Sequence, residues 1–85
     1  MTPNGEVGGS VRRFVVQASV HPPSSARLDR RGLVERKLCV DRRDSIRNVR
    51  DLHQRGYWVE VLDRDTGELV AGPFDPDQPS PSFVM

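Results

Sequence analysis

Three side chains in this 85-residue chain, Cys39, His21 and His53, join its Asp and Glu residues as candidates for nucleophilic, acid-base or metal chemistry. A cysteine becomes a nucleophile when its thiolate is stabilised by nearby positive charge or a helix start. Cys39 stands shortly before an expected helix, but no motif ties a base to it, and an inert thiol is the expectation. His21 precedes Pro22-Pro23 and is expected as a polar strand-end residue. His53 lies at the margin of a helical apolar stripe and is expected to pack, with a ring nitrogen bonded nearby. A zinc site would have to gather these three and a carboxylate from separate elements, and no C-x-x-C, H-x-x-x-H or EF-hand spacing is present. The Asp and Glu residues fall mostly in turns, and the glycines form neither a G-x-G-x-x-G nor a Walker pattern. The expectation is a non-enzyme without metal or cofactor.

The elements that must position these groups follow from periodicity. Phe14, Val16, Ala18 and Val20 alternate with Arg13, Gln17, Ser19 and His21, with Val15 the exception, so residues 12 to 21 read as a half-buried strand. Pro22 and Pro23 end it by removing two ladder donors. After a loop to Gly32, Val34, Leu38 and Val40 are expected inward and Glu35, Lys37 and Cys39 outward. The period then changes: Ile46, Val49, Leu52 and His53 recur at helical spacing. Asp41 or Asp44 suits the amino-terminal cap and Gly56 the left-handed residue beyond the last turn, placing a helix over about Arg43 to Arg55. Tyr57, Val59 and Val61 alternate with Trp58, Glu60 and Leu62. Asp63-Arg64-Asp65-Thr66-Gly67 is turn chemistry, and Glu68 to Phe74 returns as the partner strand.

The fold class read from this order is α+β: one small domain, β-β-α-β-β, an antiparallel sheet with one helix packed on one face. Residues 1–10 are expected as a flexible arm, 11–74 as the domain and 75–85 as a proline-rich tail. Leu, Ile, Val and Phe number 22 of 85, above the level of disordered chains but enough only for a thin core. One cysteine cannot form an internal disulfide, no basic-then-apolar leader opens the chain, and no stretch reaches membrane-spanning length. A cytoplasmic protein is the expectation. Twelve of the thirteen basic residues are Arg, which GC-rich coding in a bacterial or mobile-element gene would also produce.

The net charge of +1 conceals two opposed halves. Residues 11–50 carry eleven basic and four acidic side chains, a balance of +7; residues 51–85 carry two basic and seven acidic, a balance of −5; Glu6 completes the sum. On a helical wheel Arg43, Arg47, Arg50 and Gln54 fall within about 60° of one another, flanking the apolar stripe. Asp44 and Asp51 lie in the next sector, within i,i+3 and i,i+4 reach of Arg47. With a second contact at Arg27, Arg30 and Arg31, this ridge could bind DNA or RNA phosphates; the competing expectation is a solvated face paired to acidic neighbours.

Trp58 and Leu62 point away from the helix side of their strand, and Val15 and Val70 are expected to join them. That apolar second face is expected either beneath the tail, through Phe83 and Val84, or against a partner, a second copy included. The principal functional expectation is a small interaction protein (an adaptor, accessory subunit or inhibitor) docking a larger protein through Val15, Trp58, Leu62 and Val70. The alternative is a nucleic-acid-binding domain using the arginines.

Overall fold

Strand β1, Phe14–Ser19, runs through the middle of the molecule and is buried on both sides. This accounts for Val15, the apolar residue out of phase with its neighbours: a central strand covered on two faces does not alternate. The computed structural model describes residues 13 to 80. In it β1 pairs antiparallel with β2, Leu33–Cys39, on one side and with β3, Trp58–Asp63, on the other. Strand β4, Leu69–Phe74, adds outside β3, giving the order β2-β1-β3-β4. Helix α1, Arg42–Gln54, connects β2 to β3 and packs chiefly over β1 and β3. The chain order is β-β-α-β-β, a small α+β domain with its helix on one face. The arm at 1–10 and the tail contacts of Phe83 and Val84 lie outside the described residues. No helix among the described residues is long and apolar enough to cross a membrane.

Local chemistry sets the boundaries. Asp41 caps α1 by accepting from the Asp44 amide at 2.8 Å, and Ser45 Oγ donates to the Asp41 carbonyl at 2.9 Å. The helix closes where Gly56, at φ +91°, donates to the His53 carbonyl and Tyr57 donates to that of Leu52. In the β3–β4 hairpin, Asp63 Oδ1 accepts the amides of Asp65 and Thr66, while Gly67 adopts φ +74° and donates to the Asp63 carbonyl.

The core lies between sheet and helix: Phe14, Val16 and Ala18 from β1, Val59 and Val61 from β3, Cys39 from β2, and Val49 and Leu52 from α1. Here β2 departs from its sequence reading. Phe14 opposes Cys39, Val16 opposes Lys37 and Ala18 opposes Glu35, so Glu35, Lys37 and Cys39 take the helix side. Val34, Leu38 and Val40, expected inward, are exposed. The cause is position: β2 is an edge strand, and only Cys39 reaches beneath α1. Glu35 and Lys37, half-buried at the rim, pair at 3.5 Å instead of needing burial. Val20 is also exposed, because the ladder shifts between Ala18 and Ser19 and the strand ends there.

Candidate docking face

The sheet face away from α1 is built in rows by strand register. Leu38 of β2 opposes Val15 of β1, Val15 opposes Leu62 of β3, and Leu62 opposes Leu69 of β4. An apolar row therefore crosses all four strands. Val15 at its centre is 3% exposed, Leu62 is half-buried, and the end members Leu38 and Leu69 are 55% and 36% exposed. Val34 of β2 and Val40, just past the end of that strand, are exposed as well.

The next row is polar: Arg36 opposes Gln17, and Gln17 opposes Glu60. Glu60 is 1% exposed, an isolated carboxylate in a strand otherwise apolar at its core, and burial at that level demands partners. The loop between β1 and β2 supplies them. Arg27 places Nε 2.9 Å from Oε1 and Nη2 2.9 Å from Oε2, the Leu28 amide donates to Oε1 at 3.2 Å, and Gln17 Nε2 donates to Oε2 at 2.8 Å. Burial pushes the Glu60 pKa up, but the hydrogen bonds from Arg27, Leu28 and Gln17 outweigh it and hold the carboxyl below its ordinary value. The hydrogen bond to Glu60 likewise raises the Arg27 pKa.

The loop is strapped down at both ends. Val20 donates to the Gly32 carbonyl at 3.0 Å, and the Ser19 hydroxyl accepts from the His21 amide at 3.1 Å. Asp29 caps the short 3-10 turn Arg30–Gly32 by accepting from the Arg31 amide, and its carboxylate pairs with the Arg31 guanidinium at 3.2 Å. Leu28 is thereby buried on the second face. Between loop and sheet lies a cleft of about 520 Å³ whose charged walls are Arg27, Arg30, Arg36 and Glu60. Arg30 and Arg36 form no ion pair among the described residues.

The residues singled out from sequence separate accordingly. Val15 and Leu62 belong to the apolar row. Trp58 is half-buried at the far end of β3, opposite Ser19. Val70 packs against the helix-side core and does not join the second face, because the β3–β4 ladder shifts register around it. The exposed apolar surface is carried by Leu38, Leu69, Val34 and Val40, which sequence reasoning missed. A signal for Leu38 existed: once the two-sided burial of β1 is granted, Val15 requires apolar cross-strand neighbours. Glu60 was equally readable as a mid-strand carboxylate in need of a cation.

The arginines also divide. Arg27, Arg30 and Arg31 lie on the second face with their loop, whereas Arg43, Arg47 and Arg50 lie on α1, across the sheet. Arg27 and Arg31 are already paired. On the helix the expected pairing of Arg47 does not form: Asp51 pairs with Arg55 at 3.1 Å, and Asp44 accepts from the Val40 amide and Asn48.

Of the three groups first considered for chemistry, Cys39 is fully buried. Burial pushes its thiol pKa up, and its sulfur accepts from Asn48 Nδ2 at 3.4 Å and lies 3.7 Å from the Lys37 carbonyl. His53 is buried with Nε2 2.8 Å from the Asp75 carbonyl. His21 is exposed beyond the Ser19 end of β1, whereas Cys39 pairs with Phe14 at the other end. No three His, Cys, Asp or Glu side chains among the described residues group as a metal site.

Fold and site together define a small α+β domain whose single sheet carries a helix on one face and an apolar row beside a charged cleft on the other. Compared with protein-family models, curated proteins and solved structures, the chain matches none.

Proposed function

We propose that this protein is a non-catalytic interaction module, an adaptor, accessory subunit or inhibitor, that docks a larger protein through the second face of its sheet. The observation that carries this reading is the apolar row Leu38–Val15–Leu62–Leu69, finished at both edges by exposed leucines, with Val34 and Val40 exposed as well. A leucine left open at each edge of a continuous apolar strip is what a partner can desolvate. Arg30 and Arg36 rim the strip with guanidiniums that lack a carboxylate among the described residues. The partner surface that fits is therefore apolar at its centre, with carboxylates at one edge. The buried thiol and the separation of His21 from Cys39 support a role without catalysis.

The test is affinity capture with the wild-type chain beside a Leu38→Asp/Leu69→Asp variant and an Arg30→Glu/Arg36→Glu variant. A partner that forms a stoichiometric complex with the wild type and is lost from both variants supports the reading. Sedimentation supplies the opposing result. A concentration-dependent dimer abolished by the same leucine substitutions would assign the face to a second copy of the chain, and a monomer whose captured proteins ignore both variants would sink the proposal.

A further inference from the structure

On the other side of the sheet, α1 presents Arg42, Arg43, Arg47 and Arg50 to solvent, all exposed. None of the four has an ion pair among the described residues. The carboxylates nearest in sequence are committed elsewhere, Asp44 to the helix start and Asp51 to Arg55. Helical rise sets Arg47 about 6 Å beyond Arg43 and Arg50 about 4.5 Å beyond Arg47, all within one narrow sector. With the half-buried Ile46 they border a surface depression of about 780 Å³.

We propose that Arg43, Arg47 and Arg50, with Arg42 at the start of the same face, bind the phosphate backbone of a nucleic acid. A straight run of guanidiniums spaced by one helical turn matches an anion repeated along a chain, and each fork can take a phosphate through two hydrogen bonds. Uncompensated arginines on the surface cost little in water and gain when they release the counterions condensed on a polyphosphate. A lipid surface fits less well, because a helix that lies in a membrane interface offers it an apolar face, and the apolar face of α1 is spent on the core. Asp51 and Gln54 also line the depression, but the Asp51 carboxylate is held by Arg55 at 3.1 Å, so contact falls to the four arginines. The surface is independent of the docking face, and both can be occupied at once.

The experiment is fluorescence anisotropy of a short labelled DNA duplex and of a single-stranded RNA, titrated with protein at a series of salt concentrations. The wild type is expected to bind at low salt and weaken steeply as salt rises. Arg43→Gln/Arg47→Gln/Arg50→Gln should flatten the log–log salt slope by about 2 to 3, and Arg47→Gln alone by about 1. The corresponding triple Lys variant should keep most of the slope, since the charge remains. Circular dichroism checks the fold of the triple Gln variant, and the single variant decides if that fold is lost. The proposal is overturned if neither nucleic acid binds at low salt, if the Gln variants bind as the wild type does, or if only phosphatidylserine vesicles are bound.

Discussion

Arg27 and Glu60 lie 33 positions apart and meet through two parallel hydrogen bonds of 2.9 Å each. The pair joins the β1–β2 loop to the centre of the sheet and gives the second face its cleft. It is asymmetric: the Glu60 side chain is buried, while the Arg27 side chain is 45% exposed. Removing either partner therefore does not have the same consequence.

Arg27→Ala strands a buried charge with only Gln17 and the Leu28 amide to satisfy it. The expected loss is about 1 to 3 kcal/mol, kept at that level because the Arg27 side chain is partly open to solvent. Glu60→Gln leaves Arg27 free to turn to water and should cost less. Combining the two should recover part of what Arg27→Ala alone loses. Urea unfolding of the four proteins measures this, and equal losses for the two single variants would contradict the asymmetry. Arg31→Ala removes a guanidinium that lies out in solvent and leaves Asp29 its bond from the Arg31 amide, so the midpoint should change little.

The same carboxylate makes stability depend on acid. Its folded pKa is below the ordinary value of 4.5, so in this range the unfolded chain binds more protons than the folded one. The contribution of Glu60 is then complete above the ordinary value and is lost as pH falls through it toward the lower folded value. Urea midpoints taken from neutral pH downward should fall more steeply for the wild type than for Glu60→Gln, the two curves converging in acid. Parallel curves would show that Glu60 is not held as described.

Gly32 is fixed by its surroundings, whereas Gly56 is fixed by its backbone. A Cβ at Gly32 would stand 2.5 Å from Ser19 Oγ and 2.6 Å from His21 Cδ2, and Ser19 is fully buried. Gly32→Ala should cost about 1 to 3 kcal/mol by overpacking and should shift the fluorescence of Trp58, which opposes Ser19 across the ladder. Gly56, with open space around it at φ +91°, should lose only about 1 kcal/mol as Ala, with no change at Trp58. Thermal melts and Trp emission read both effects.

Local pattern carried most of the architecture. The helix was legible because Ile46, Val49, Leu52 and His53 repeat between an Asp cap and Gly56, and the last hairpin because Asp63 to Gly67 has turn chemistry. The phase of β2 was not legible. Counting apolar residues favours Val34, Leu38 and Val40 as the inward set, and nothing local says that the strand lies at an edge where one cysteine suffices beneath the helix. The candidate site was less visible still. Arg27 reaches Glu60 only because a loop with Pro22-Pro23 near its start turns back over the sheet, a long-range placement that periodicity does not encode. For the same reason the arginines of loop and helix, adjacent in the charge tally, are parted by the thickness of the sheet.

The revised phase of β2 makes its own prediction at Cys39. Facing outward, this thiol would react with iodoacetamide at the rate of a free cysteine. Packed under α1 with Asn48 against its sulfur and its pKa raised by burial, it has neither access nor thiolate character at neutral pH. Labelling of the folded protein should be far slower than that of the urea-unfolded chain. Its rate should rise with denaturant in parallel with unfolding, because opening exposes the sulfur. Cys39→Ser should destabilise by about 1 to 2 kcal/mol, since it trades a polarisable sulfur in the core for a hydroxyl, with the Lys37 carbonyl 3.7 Å from the present sulfur. Rapid labelling of the native state would return Cys39 to the outer face and, with it, reverse the assignment of Leu38 to the docking row.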